Sequence, residues 1–143
     1  MLLVAPMSRA QSAPLQDNPL HDRDVHVLLG ASCALLASAV AATALSRDSA
    51  NPDYPFRVSA AGLGAAVAVG ALKETLDLAG FGDPDLLDLL ATVVGGLGVS
   101  PGVYAVCRAD PRKAPRLAPA FVTVGVVLAL PVGEALFKRL FSR

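Results

Sequence analysis

Tryptophan is absent from this chain, aromatic residues make up only 5% and charged residues only 17%. Average soluble domains carry roughly 25% charged residues, so solvating side chains are scarce. With so few rings there is no stacking platform for single-stranded nucleic acid. Neither sign of charge is in excess, with 12 basic residues against 12 acidic ones. This balance excludes a basic nucleic-acid binder, an acidic disordered tail and a highly charged coiled coil. Cysteine is scarce as well: Cys33 and Cys107 lie far apart inside apolar runs and follow no metal-ligand spacing. Each reads as a small buried hydrophobe, with a disulfide or a reactive thiol as the alternative. Gly30 stands three positions ahead of Cys33, where a lipid-acylated cysteine has Leu. The chain contains no HExxH, GxSxG, P-loop or zinc spacing, so no cofactor is implied. Period-2 alternation is missing too, which argues against strands.

What the chain does have is apolar length. Hydrophobic residues reach 54% of 143 positions, with a mean hydropathy of +0.55, in a length suited to one domain. After an N-terminal segment over 1–20, four apolar stretches follow at about 25–45, 58–79, 86–107 and 117–137. Each is close to the ~20 residues that cross ~30 Å of hydrocarbon. Four such stretches leave too little polar surface to dissolve a soluble bundle. The expectation is an all-α fold, a small polytopic membrane protein built as a bundle of four transmembrane helices over 21–143. The 1–20 segment reads as a flexible tail, or as the remnant of a signal segment because Ser8-Arg9-Ala10 and Gln11-Ser12-Ala13 look like cleavage-site ends.

The connectors support this division. Asn51-Pro52-Asp53-Tyr54-Pro55 is turn-rich. In the 80–85 connector glycine stops the second helix, Asp83 is expected as N-cap of the third, and Pro84 as its first residue. Pro101 and Pro131 are expected to kink or interrupt the third and fourth helices. Arg108, Arg112, Lys113 and Arg116 form the densest basic cluster of any connector, so the positive-inside rule puts the 108–116 loop in the cytoplasm. Lys138, Arg139 and Arg143 pull the other way.

Up-and-down topology gathers the polar residues at one membrane face. These are Asp22, Asp24 and His26, then Lys73, Glu74 and Asp77, then Asp85, Asp88 and Thr92. Lys73 and Asp77 are four apart and share a helical face, and so do Asp88 and Thr92. Stripes of small residues lead away from this cluster. Gly30, Ala34, Ser38 and Ala42 follow His26 at intervals of four, Gly62, Ala66 and Gly70 lead into Glu74, and Gly95 and Gly96 follow Thr92. Small residues at such spacing let backbones approach closely in lipid. Bland readings exist for several of the polar groups. Asp83 and Asp85 read as cap and first-turn acid, Lys73 as a lysine snorkelling to the headgroups, and His26 as an interfacial histidine. Glu134 and Lys138, four apart, read as a surface ion pair. Glu74, Asp77 and Asp88, with His26, are the candidate metal ligands or proton carriers, because ionisable groups in hydrocarbon are costly and face the bundle interior.

The phrases Asp22-Arg23-Asp24-Val25-His26, Gly70-Ala71-Leu72-Lys73-Glu74-Thr75-Leu76-Asp77 and Asp83-Pro84-Asp85-Leu86-Leu87-Asp88, followed by Ala91-Thr92 and Gly95-Gly96, together resemble the YfiM-like lipoproteins. Small VanZ-like membrane proteins are similar more loosely. The resemblance spans about residues 22–98 and marks His26, Lys73, Glu74, Asp77, Asp88, Thr92 and Gly95 as characteristic positions. It implies a bacterial envelope membrane. The chain departs from that family in its missing lipobox and its fourth apolar segment. The expected function is that of a non-enzymatic inner-membrane protein. Its polar cluster locks helices and binds a lipid headgroup, a membrane partner protein or a second copy, and it has no nucleic-acid role. The alternative is an enzyme or an ion or proton carrier that uses the same cluster.

Overall fold

A computed structural model describes the backbone of residues 19–141 and the side chains of 22–134. Of the expected tail or signal remnant over 1–20, residues 1–18 lie outside the described residues and 19–20 open the first helix. The Lys138 side chain of the expected Glu134–Lys138 pair also lies outside them. Among the described residues there are four α-helices and no strand: α1 Pro19–Ala44, α2 Tyr54–Leu76, α3 Leu86–Ala109 and α4 Ala114–Phe141. A short 3-10 turn, Ser46–Asp48, follows α1, and a π-turn, Asp77–Phe81, follows α2. All four helices are long and apolar enough to cross a membrane. At about 1.5 Å per residue the 24 residues of α3 extend about 36 Å. This is the architecture of a multi-pass membrane protein.

Helix α1 is central and packs against the other three. Helices α2 and α3 also pack on each other, while α4 leans on α1. The α1 stripe expected to be a close-packing face is buried throughout, with Ala34, Ser38 and Ala42 at 1% exposure or less. Opposite it, large apolar side chains such as Leu86, Leu90, Val94 and Leu97 on α3 point outward. Such an apolar surface would be an aggregation liability in water and is matched by hydrocarbon.

Lipid offers no hydrophobic drive between helices, so close packing and hydrogen bonds carry the association. All five glycines singled out in the sequence lie at close approaches. A Cβ on Gly30 would collide with the Thr92 carbonyl, and one on Gly95 with the Val27 carbonyl. Helices α1 and α3 therefore cross backbone against backbone at a reciprocal glycine pair. Gly62 lies against Ser38 and the Ala34 carbonyl, Gly70 against Leu89, and Gly96 against Ala66. Gly125, which the sequence did not mark, does the same for α4 against Ser32 and Leu36.

Local chemistry moves several boundaries. Pro55 in the first turn starts α2 at Tyr54, earlier than the apolar stretch suggests. The Tyr54 hydroxyl then donates to the Ala42 carbonyl at 3.1 Å, satisfying one of the acceptors left at the end of α1. The N-cap of α3 is Asp85 rather than Asp83: its Oδ1 accepts from the Leu87 N–H at 2.8 Å. The helix starts there because the Asp85 N–H is itself held by Glu74 Oε2 at 2.9 Å. Gly80, at φ 95°, turns the chain out of the π-turn, a conformation that favours glycine.

The prolines do not interrupt their helices. Helix α3 runs through Pro101, and α4 through Pro119 and Pro131. Close to these prolines, Ser59 Oγ donates to the Ser100 carbonyl and ties α2 to α3, and Thr123 Oγ1 donates to the Pro119 carbonyl within α4, both at 2.9 Å. Of the two free thiols, Cys107 is fully buried beside Tyr54 and Val58, and Cys33 is half-buried.

Candidate functional site

Three helices deliver one charged group each to the same point. His26 heads the buried small-residue stripe of α1, Lys73 lies in the last turn of α2, and Asp88 in the first turn of α3. Asp88 Oδ2 stands 2.6 Å from Lys73 Nζ and 3.2 Å from His26 Nε2. Lys73 Nζ also donates to Glu74 Oε1 at 3.0 Å. Asp77 Oδ2 lies 2.9 Å from the same ammonium, at ion-pair distance but without hydrogen-bond alignment. Glu74 uses its second oxygen on the Asp85 N–H, which ties the α2–α3 connector to the cluster.

The set is largely withdrawn from solvent. The side chains of His26 and Asp88 are each 10% exposed, against 27% for Lys73. Desolvating charges is expensive, and partners recover the cost only when geometry is good. Here one ammonium serves three carboxylates, which leaves negative charge in excess. A proton on His26 or a bound cation would reduce that excess. The His26–Asp88 contact is a hydrogen bond only with the proton on Nε2. His26 Nδ1 is buried with no hydrogen-bond partner.

The sequence-expected residues thus divide. His26, Lys73, Glu74, Asp77 and Asp88 meet. Thr92 does not join the charged set: its hydroxyl donates to the Asp88 carbonyl at 2.9 Å, and its backbone and methyl receive Gly30 and Gly70. Glu74 and Asp77, expected among the metal candidates with Asp88 and His26, are turned onto Lys73. The residues that bring ligand atoms within 4.8 Å of one another are instead Asp22, His26 and Asp88. Asp22 was legible as a partner of His26 from its i, i+4 spacing, and only the fold adds Asp88. Asp24 is exposed.

The other end of the bundle is chemically opposite. Connector residues 45–57 and 108–116 hold six basic residues and three acidic ones. Asp110 leaves α3 and organises the turn into α4, its Oδ1 accepting from the Lys113 N–H at 3.2 Å. The Lys113 ammonium, 2.9 Å from Asp110, holds that carboxyl below the usual carboxylate range. No protein-family model matches the chain, and neither a curated protein nor a solved structure matches it.

Proposed function

We propose that this chain is a non-enzymatic protein of the bacterial cell envelope, multi-pass in the inner membrane and related to the YfiM-like proteins. Its Lys73-centred cluster locks α1, α2 and α3 together and offers an acidic, histidine-containing face to a lipid headgroup, a membrane partner protein or a second copy. The basic 108–116 connector lies in the cytoplasm and the cluster faces the other side. The observation that carries this reading is the sharing of one Asp88 oxygen by groups from two other helices. Each carboxylate of the Lys73 set lies within ion-pair distance of the one ammonium, as a cross-link between helices requires. The test is the melting temperature of purified Glu74→Gln in detergent, beside the cellular phenotype. A clear drop in melting temperature supports the lock, whereas unchanged stability and phenotype in both Glu74→Gln and Asp88→Asn would remove it.

A second reading rests on a different group. Asp22, His26 and Asp88 bring one nitrogen and two carboxylates within ligand reach, a donor set suited to a first-row divalent cation. Under this reading the protein is an ion or proton carrier, or a membrane-embedded enzyme. Elemental mass spectrometry of wild type and His26→Ala, after dialysis against divalent cations, separates the two. Near-stoichiometric metal that is lost in the variant favours the carrier, and metal in neither sample leaves the lock.

A further inference from the structure

The groove between α1 and α4 lies at the basic end, away from the cluster. It is an open channel of about 820 Å³, with walls that include Val40, Thr43 and Ala44 on α1 and Pro119, Val122 and Thr123 on α4. The two threonines do not make it polar. Thr43 Oγ1 donates to the Ala39 carbonyl and Thr123 Oγ1 to the Pro119 carbonyl, so each hydroxyl proton is spent inside its own helix. The channel therefore suits an extended apolar chain and gives a headgroup nothing to bond.

Its mouth is different. Arg116 precedes Pro119 by three residues and Thr123 by seven, so helical periodicity puts it on the same strip of α4. Arg47 lies in the 3-10 turn that continues α1, four residues beyond Thr43. Both are exposed, and neither takes part in an ion pair among the described residues. Lys113 pairs with Asp110, Arg57 with Asp48, and Arg108 donates to the Tyr104 hydroxyl, while Arg112, in the turn before α4, is exposed and likewise takes part in no ion pair among the described residues. Arg116, on the α4 strip that walls the groove, and Arg47, in the turn just after α1, thus bring guanidiniums without an ion-pair partner to the end where basic residues outnumber acidic ones.

We infer that this channel holds one acyl chain of an anionic glycerophospholipid, with its phosphate at Arg47 and Arg116. Guanidinium matches phosphate in geometry and charge, and basic residues at a membrane surface draw anionic lipid. The inference needs the membrane setting but does not depend on the cluster at the opposite end.

Native mass spectrometry of the full chain tests it, with equal amounts of phosphatidylglycerol and phosphatidylcholine of matched acyl chains added to the detergent. Wild type is expected to retain phosphatidylglycerol preferentially. Arg47→Gln with Arg116→Gln lowers that preference about tenfold, and Thr123→Phe, at an exposed position, lowers retention of both lipids by filling the channel. The inference fails if the double arginine variant keeps the preference, or if Thr123→Phe retains lipid as wild type does. It also fails if glycerol phosphate without acyl chains displaces the lipid.

Discussion

His26 and Lys73, carried by two different helices, converge on a single atom, Oδ2 of Asp88, at 3.2 and 2.6 Å. One carboxylate oxygen therefore joins α1, α2 and α3. The two donors are not equivalent. Lys73 also holds Glu74 and Asp77, whereas His26 makes its contact through Nε2 alone and keeps Nδ1 without a partner. Lys73 is the hub.

Because the hub is the only ammonium among these carboxylates, Lys73→Met should be the most damaging change in the cluster. It leaves three largely buried carboxylates without their common partner and should cost about 3–5 kcal/mol. Asp88→Asn leaves Lys73 with two carboxylates and should cost about 1–2 kcal/mol, closer to one charged hydrogen bond. Thermal unfolding of both variants in one detergent checks the order. A larger loss in Asp88→Asn would move the hub from Lys73 to Asp88.

The crossing of α1 and α3 gives a matched glycine pair. Gly95→Ala drives a methyl into the Val27 carbonyl and should cost about 1–3 kcal/mol through overpacking. Gly98→Ala, one turn along the same helix, meets nothing within 4 Å and should be neutral or stabilising by up to about 1 kcal/mol. Melting temperatures of the two variants should move in opposite directions, or the Gly98 variant should stay at wild type.

At the start of α3, Asp85→Ala removes the acceptor for the Leu87 N–H and should cost about 0.5–2 kcal/mol. Asp83→Ala should cost less than Asp85→Ala. Amide hydrogen exchange at Leu87 reads the cap directly, with faster exchange expected only in the Asp85 variant.

The Asp110–Lys113 pair predicts a pH dependence at the basic end. The carboxyl of Asp110 is held below its ordinary range, first by its hydrogen bond to Lys113. A depressed folded value means that the pair's contribution is present above the unfolded value and is lost as pH falls through the folded one. The pair is exposed, so the effect on global stability is small. NMR titration should show the Asp110 carboxyl moving up toward the ordinary range in Lys113→Gln.

The sequence alone determined the elements and their local faces. Length and apolar composition specify four helices, because hydrocarbon requires internally bonded backbone over about 20 residues. Helical periodicity puts Lys73 with Asp77, and Gly30 with Ala34, Ser38 and Ala42, whatever the tertiary arrangement. Tertiary structure decided what depends on distances between helices. It assigned Lys73 to Asp88, turned Thr92 from the charged set into a packing surface, and brought Asp22 to Asp88 through His26. It moved the cap from Asp83 to Asp85, because Glu74 on another helix holds the Asp85 N–H. It also set α4 against α1 and so opened the groove walled by Val40, Thr43, Val122 and Thr123. Spacing along one helix is fixed by a repeat of 3.6 residues, but contact between helices depends on which small residues allow two backbones to meet. That choice is made only when all the stripes are packed at once.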